Sequence, residues 1–282
     1  MAVWIDGKAL AAKIKAQVRE EAAALPAQPV LAVVLVGEDP ASQIYVRGKE
    51  RDCAECGIRS LAHRLPADTR QEDLMALIQA LNNDPAADGI LVQLPLPRGL
   101  DQRQILEAIR PDKDVDCFHP LNVGKMTLGR EGFRPCTPAG VMEMLKAYDI
   151  PVRGKRCVVI GRSSLVGQPL AALLTQADGT VTLCHSRTEN LAEYTRQADI
   201  LVSAVGRPGL VTGDMVKEGA AVIDVAINRG EDGKLRGDVD FEAVEKKAAF
   251  ITPVPGGVGP MTRAMLMRGV LYAARLHQAQ EV

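Results

Sequence analysis

The chain has 282 residues, 47% hydrophobic and 24% charged, an ordinary globular composition with room for two domains, and its formal charge of −1 provides no field for gathering nucleic acid or an anionic membrane. The start, Met1-Ala2-Val3-Trp4-Ile5-Asp6, lacks the basic and apolar stretches of a secretory leader, and no window reaches about 18 uninterrupted apolar residues. A cytoplasmic protein acting on a small molecule is expected, with its six cysteines reduced. In chain order, 30–36 is an apolar, β-branched run stopping at Gly37, and 41–56 reads as a helix closed by Gly57. Residues 74–81 look helical, and 89–94 look like a buried strand stopped by Pro95 and Pro97. The stretch 111–138, rich in Pro, Gly, Asp and Asn, reads as a connection between domains that carries functional residues. Beyond it come a helix over 138–148, a strand over 156–160, a helix over 169–177, and strands over 180–184, 200–204 and 221–225. Strands alternating with helices imply a parallel α/β sheet, and the second half has the pattern of a nucleotide-binding βαβ array.

The cysteines and histidines suggest no metal. Cys53 and Cys56 have C-x-x-C spacing, yet no second pair follows them, and His63, His119, His185 and His277 match no ligand spacing.

The strand over 156–160 runs into Gly161-Arg162-Ser163-Ser164-Leu165-Val166-Gly167-Gln168-Pro169 and a helix. A strand, a Gly-bounded turn and a helix N-terminus present backbone N–H groups and a positive dipole end to a diphosphate. The spacing departs from G-x-G-x-x-G, since Ser163 stands at the second Gly position and Gly167 comes one residue late, so a plain strand–helix turn stays open. Where an NAD enzyme places a carboxylate on the ribose, this chain has His185-Ser186-Arg187-Thr188. Ser186, Arg187 and Arg162 suit a 2′-phosphate, which favours NADP over NAD.

In Ser42-Gln43-Ile44-Tyr45-Val46-Arg47-Gly48-Lys49 the helical spacing puts Tyr45 and Lys49 on one face. In a desolvated setting such a lysine becomes usable for proton transfer; on a solvated helix the same pair does nothing. Short-chain dehydrogenases also use Tyr-x-x-x-Lys, but after their nucleotide loop, whereas here Lys49 precedes Gly161. Near the C-terminus, Pro253-Val254-Pro255-Gly256-Gly257-Val258-Gly259-Pro260 follows a strand-like run over 248–254 and precedes a helix. Almost without side chains, this loop is either a hinge or a surface where backbone meets a flat ligand.

Six segments together, Tyr45 to Lys49, Val92-Gln93-Leu94-Pro95-Leu96-Pro97, Lys113-Asp114-Val115-Asp116, Pro135-Cys136-Thr137-Pro138, the Gly161 turn, and Pro253 to Thr262, resemble the bifunctional methylenetetrahydrofolate dehydrogenase/methenyltetrahydrofolate cyclohydrolase family, in that family's order. The resemblance implies an α/β protein of two domains, with a folate cleft between a catalytic domain, 1–137 plus 260–282, and a Rossmann-type NADP domain, 138–259. It implies two reactions, NADP-dependent oxidation of 5,10-methylenetetrahydrofolate to the methenyl cation and hydrolysis of that cation to 10-formyltetrahydrofolate, and a homodimer formed through the nucleotide domain. It also implies Lys49 as the acid–base residue, Tyr45 stacked on the folate, Gln93 hydrogen-bonding near Lys49, and Asp116 anchoring the pterin, with Pro255, Gly256 and Gly257 on the substrate. For the nucleotide it implies Gly161, Arg162, Ser163, Val166, Gly167, Ser186, Arg187, Ala204, Val205, Gly206 and Ile227. No nucleic acid, membrane or metal partner is expected.

The chain departs from the family pattern at Cys117 and Ala226, where Gly is usual, at Arg263, where a small or apolar residue is usual, and at Gly269-Val270, where Asn-Thr is usual. If position 117 needs φ > 0, the cysteine strains the loop beside Asp116. Another two-domain NADP oxidoreductase, such as a shikimate dehydrogenase, explains the nucleotide turn but neither Gln93 nor Asp116. A non-catalytic folate or nucleotide binder leaves Lys49 beside Tyr45 without a purpose.

Overall fold

The computed structural model describes residues 1–230 and 232–279. Its strands are β1 (Val3–Trp4), β2 (Val30–Val36), β3 (Arg59–Leu65), β4 (Gly89–Val92), β5 (Arg156–Ile160), β6 (Thr180–Cys184), β7 (Ile200–Ser203), β8 (Ala221–Asp224), β9 (Asn228–Arg229), β10 (Leu235–Arg236) and β11 (Phe250–Ile251). The helices are α1 (Gly7–Ala23), α2 (Pro40–Glu55), α3 (Gln71–Asn83), α4 (Gln102–Glu107), α5 (Pro120–Thr127), α6 (Cys136–Ala147), α7 (Gly167–Gln176), α8 (Leu191–Thr195), α9 (Phe241–Glu245) and α10 (Val258–Gln278). The chain forms two compact units, one of Met1–Ala12 with Pro135–Thr262, the other of Lys13–Arg134 with the residues from Arg263 on. Two of the three divisions fall inside α1 and α10, and the third falls just before α6.

The first unit carries a fully parallel six-stranded sheet in the order β1-β11-β8-β7-β5-β6, with β9 and β10 as a separate antiparallel ribbon. Its inner strands β7 and β8 are buried along their whole length, as strands covered on both faces must be. Val158, Ile160, Leu201, Val222 and Ile251 pack with Val244 and Ala248 in one core. The expectation put residues 1–137 in the folate domain, whereas β1 pairs with Phe250 and Ile251 of β11, so the N-terminal residues belong with the nucleotide sheet. Two residues make too short a strand to leave a pattern in sequence.

The other unit has the three-stranded parallel sheet β3-β2-β4, with β2 in the middle and buried at every position. Ala32, Val34, Ile90 and Val92 pack against Leu74, Ile78 and Leu81 of α3 and Ile105 of α4. The edge strand β3, Arg59-Ser60-Leu61-Ala62-His63-Arg64-Leu65, is exposed or half-buried throughout, which is why its polar sequence gave no strand signal.

The stretch 111–138 is more than a connection. Lys113, Asp114, Val115, Cys117, Asn122, Met126 and Phe133 are buried, and α5 forms with the His119 imidazole accepting from Leu121 N at 3.1 Å and Pro120 in its first turn. Its polar residues are buried because each meets a backbone partner, which composition does not reveal. The strand-like run over 248–254 shortens to β11, and residues 252–257 form the loop that enters α10.

Candidate active site

Helix α2, which carries Tyr45 and Lys49, starts where the sequence provides a cap. Asp39 accepts from Ser42 N at 2.7 Å and Pro40 occupies the first turn, while Gly57 follows its end at φ +72°. Tyr45 is 43% exposed, Lys49 is half-buried, and Lys49 Nζ donates to Gln93 Oε1 at 2.9 Å. Gln93 follows β4, where its backbone N donates to Val34 O at 2.8 Å, and its Nε2 donates to Leu94 O at 2.6 Å. That second bond fixes the amide, leaving its oxygen as the acceptor for the lysine. Residues 44 apart in sequence therefore meet through side chains at the end of the β2–β4 pair.

Asp116 is half-buried and lies in a turn just after a single β-bridge residue, Asp114. Lys113 Nζ donates to Leu81 O at 3.1 Å and Asp84 O at 2.6 Å, and Ile90 of β4 bridges Asp114 in parallel, which fixes the start of the turn that carries Asp116. Asp114 accepts from Phe118 N at 3.1 Å, His119 N at 2.9 Å and Asn122 Nδ2 at 2.9 Å. Burial raises the pKa of Asp114 and lowers that of Lys113. Asp114 is a loop anchor that sequence reasoning left out, because an acid two residues before Asp116 carries no sign of facing inward.

Cys117 sits at φ +59°, fully buried, with its thiol against Phe133 O at 3.3 Å. The backbone beside Asp116 does take the left-handed form that glycine favours, and the cysteine takes it at a cost of about 1–2 kcal/mol. Ala226, buried, is absent from the residues with positive φ and carries no such cost. Gly269 has a packing reason, since a Cβ there would lie 3.0 Å from Val115 O and hold α10 off the Asp114–Asp116 segment.

The third departure introduces a buried ion cluster. Arg263 Nε lies 3.2 Å from Asp52 Oδ2 and Lys15 Nζ 3.0 Å from Asp52 Oδ1, around an aspartate side chain that is 1% exposed. Arg263 occupies the space that a Cβ at position 48 would take, so Gly48 admits it beside Lys49. Cys53 and Cys56 are fully buried on the same helix end, and burial pushes both thiols up to about 12. Neither is poised for redox chemistry or metal binding, and among the described residues no group of His, Cys, Asp and Glu is placed to hold a metal ion.

In the six-stranded sheet the register gathers the expected nucleotide residues at one edge. Ile160 pairs with Cys184 and Ser203, and Ser203 pairs with Asp224, so Gly161, the Ser186–Arg187 turn, Ala204-Val205-Gly206 and Ile227 all follow neighbouring C-terminal strand ends. Gly161 has φ +112°, and a Cβ there would lie 2.5 Å from Ala204 O; a Cβ at Gly167 would overlap the Gly161 carbonyl. These glycines let the turn, α7 and the β7 end close together. Ser163 Oγ accepts from Val166 N at 3.2 Å and Gly167 N at 3.5 Å, giving α7 the cap that Val166 does not supply. Arg162, Ser163, Ser186 and Arg187 are exposed, and Arg187 N donates to His185 Nδ1 at 3.1 Å within a tight turn. The β11 end leads to the loop at Pro255, Gly256 and Gly257, which is tied to α1 by Lys8 N to Gly256 O at 2.9 Å and closed by Gly257 N to Pro253 O at 2.8 Å. The Leu94-Pro95 and Val254-Pro255 bonds are both cis.

Known proteins resemble this chain in both sequence and fold. Residues 5–116 match the family model of the tetrahydrofolate dehydrogenase/cyclohydrolase catalytic domain, and residues 135–278 match that of the tetrahydrofolate dehydrogenase/cyclohydrolase NAD(P)-binding domain. The chain belongs to the tetrahydrofolate dehydrogenase/cyclohydrolase family. A bifunctional protein FolD from Desulfovibrio desulfuricans is 59% identical over 98% of this chain and 99% of its own. Among solved structures, the bifunctional FolD of Campylobacter jejuni superposes with TM-score 0.96 at 52% identity, covering 98% of this chain and 99% of its own. The Trypanosoma brucei enzyme of this family, solved with NADP cofactor and an inhibitor, superposes with TM-score 0.94 at 43% identity over 98% of each chain. The family is thus matched along both units, and no helix among the described residues is long and apolar enough to cross a membrane.

Proposed function

We propose that Lys49, Gln93, Tyr45 and Asp116 carry the folate chemistry of this enzyme and that the strand ends around Gly161 carry its nucleotide. The activity is bifunctional, as for the family: NADP-dependent oxidation of 5,10-methylenetetrahydrofolate to 5,10-methenyltetrahydrofolate, then hydrolysis to 10-formyltetrahydrofolate. The observation that carries the residue assignment is the 2.9 Å bond from Lys49 Nζ to Gln93 Oε1, which joins two of the expected catalytic groups.

Bound NADP accepts the hydride from the folate's one-carbon bridge. That step calls for no protein proton donor; it calls for reacting carbons held at contact distance, which rigid backbone and an aromatic platform provide. Tyr45, exposed on α2, is the aromatic platform, and in the nucleotide unit the rigid ring of Pro255 with Gly256 and Gly257 supplies restricted backbone. Hydrolysis differs, because water must lose a proton as it attacks the methenyl cation and a ring nitrogen must gain one. Gln93 Oε1 accepts one hydrogen of the lysine amine and orients it, so that Lys49 takes a proton from the attacking water and returns it to the leaving nitrogen. Asp116 accepts from the N–H donors of the amino-pyrimidinone edge.

The exposed Ser186 and Arg187 at the end of β6 support recognition of the 2′-phosphate. Gly161, Arg162, Ser163, Val166 and Gly167 frame the diphosphate at the start of α7, with Ala204, Val205, Gly206 and Ile227 alongside. We further propose a homodimer formed through the nucleotide unit and a cytoplasmic setting. The folate domain is read as 1–137 plus 260–282 and the nucleotide domain as 138–259, with residues 1–12 transferred to the latter because β1 pairs with β11.

Mixing the enzyme with 5,10-methylenetetrahydrofolate and NADP, and following NADPH and methenyl absorbance separately, tests this reading. NADPH should form without accumulation of the methenyl species. No NADPH with either NADP or NAD rejects it, and persistent methenyl product removes the hydrolytic half.

A further inference from the structure

The nucleotide unit contains a carboxylate that plays no part in the chemistry above. Asp238 is fully buried, so it touches no ligand, yet its side chain gathers donors from two of the segments that line the nucleotide edge. Ser203 Oγ donates to Oδ2 at 2.8 Å, Val205 N donates to Oδ2 at 2.9 Å, and Arg207 N donates to Oδ1 at 2.6 Å. Asn228 Nδ2, from the residue after Ile227, approaches Oδ1 at 3.4 Å. One carboxylate therefore spans the whole turn that follows β7, on either side of Ala204 and Gly206, and reaches the neighbour of Ile227. Val205 and Ile227 are 41% and 38% exposed, and they stand among the few large apolar side chains that this unit turns to solvent.

The carboxylate is itself held from behind. Asp238 N donates to Asp224 Oδ1 at 3.0 Å and Val239 N to Asp224 Oδ2 at 2.9 Å, while Asp224 N donates to Thr252 Oγ1 at 2.7 Å. The chain of contacts runs from β11 through the end of β8 to Asp238 and on to the turn. A carboxylate has acceptor capacity for several backbone donors and fixes their directions together, which a water shell around an exposed turn does not.

We infer that Asp238 is a positioning residue for the nucleotide: by pinning Val205, Arg207 and Asn228 it presets the Ala204-Val205-Gly206 turn and Ile227 for NADP. This rests on the reading that the turn and Ile227 bind the nucleotide. Binding to a turn already in shape does not have to order it, so loss of the anchor shows as weaker affinity rather than altered chemistry.

Asp238→Asn tests this in the full-length enzyme, because an amide replaces an acceptor by an N–H aimed at backbone N–H groups. The Kd for NADP, measured by protein or NADPH fluorescence, should rise at least about tenfold, and the KM for NADP should rise far more than kcat falls. Hydrolysis of 5,10-methenyltetrahydrofolate, assayed without nucleotide, should stay within about twofold of the parent. Ser203→Ala, which removes one donor and leaves the carboxylate, should show the same split with a smaller rise in Kd. Unchanged NADP affinity in Asp238→Asn, or parallel loss of both activities in both variants, overturns the proposal. Parent enzyme that fails to bind NADP overturns instead the reading on which it rests.

Discussion

The proposed nucleotide edge is shaped by backbone packing, whereas the proposed acid–base site is built from side chains, and the two are fixed by different means. At Gly161 and Gly167, both buried, the turn, α7 and the β7 end close together because Cβ atoms are missing, and the neighbouring turn is pinned from within by the buried Asp238. At Lys49 the amine is placed by a helix, a cap and one amide, Gln93, itself tied to Leu94 O. A backbone site fails by shape when a methyl group is added, while a side-chain site fails by chemistry when one functional group is exchanged. Substitutions should therefore separate the two activities.

The largest expected effect is at the side-chain site. Lys49→Gln should lower cyclohydrolase turnover by roughly 10²–10⁴-fold, the scale of a lost general acid–base, with a smaller loss in hydride transfer. Equal factors in the two assays, with unchanged melting temperature, would reject that division of labour. Gly161→Ala is the counterpart at the backbone site. The methyl group meets the Ala204 carbonyl at a position of φ +112°, and about 2–4 kcal/mol of stability together with NADP binding should be lost. Denaturant titration and NADP fluorescence measure these, and cyclohydrolase activity under folding conditions should survive.

Behind the nucleotide turn, burial, opposed by backbone N–H bonds from Asp238 and Val239, raises Asp224 to about 6. A carboxyl group with a raised folded pKa binds its proton more readily when folded, so its stabilising contribution is full below pH ~4 and is lost as pH rises through ~6. In urea titrations from pH 4 to 7, Asp224→Asn should gain on the parent by on the order of 3 kcal/mol. A constant difference across that range contradicts the raised value.

Two smaller effects concern the folate unit. Arg263→Met leaves the buried Asp52 with Lys15 as its remaining cation from this cluster and should cost about 2 kcal/mol by chemical denaturation. A cost near zero would mean that Arg263 contributes packing alone. Cys117→Gly relieves the positive φ but gives up a buried thiol, so the melting temperature should change by no more than about 4 °C, whereas Cys117→Val should fall well below it.

The legibility of each region in the sequence follows from the same contrast. Runs such as Val30–Val36 announce themselves because a strand covered on both faces is apolar at every position. The Gly161 turn and the Pro255-Gly256-Gly257 loop were visible because glycine and proline restrict or free the backbone locally. The inner strands β7 and β8 are legible because they too are apolar and buried throughout, but the edge strands β1 and β3 are not, one being two residues long and the other too polar to stand apart. Asp114, Asp224 and Asp238 were invisible, since their importance lies in N–H groups brought to them by other elements.

By itself the sequence determined an α/β chain of two parts, the shared helix face of Tyr45 and Lys49 and the Gly161 turn between strand and helix, because spacing and backbone restriction are local properties. Tertiary structure alone decided that Lys49 meets Gln93, that Cys117 occupies a left-handed position, that Val3 and Trp4 extend the six-stranded sheet, and that one buried carboxylate accepts from the turn beside it. Each of these depends on groups remote in the chain arriving within hydrogen-bond distance, and the free energy of such a contact is set by burial and partners that no local pattern encodes.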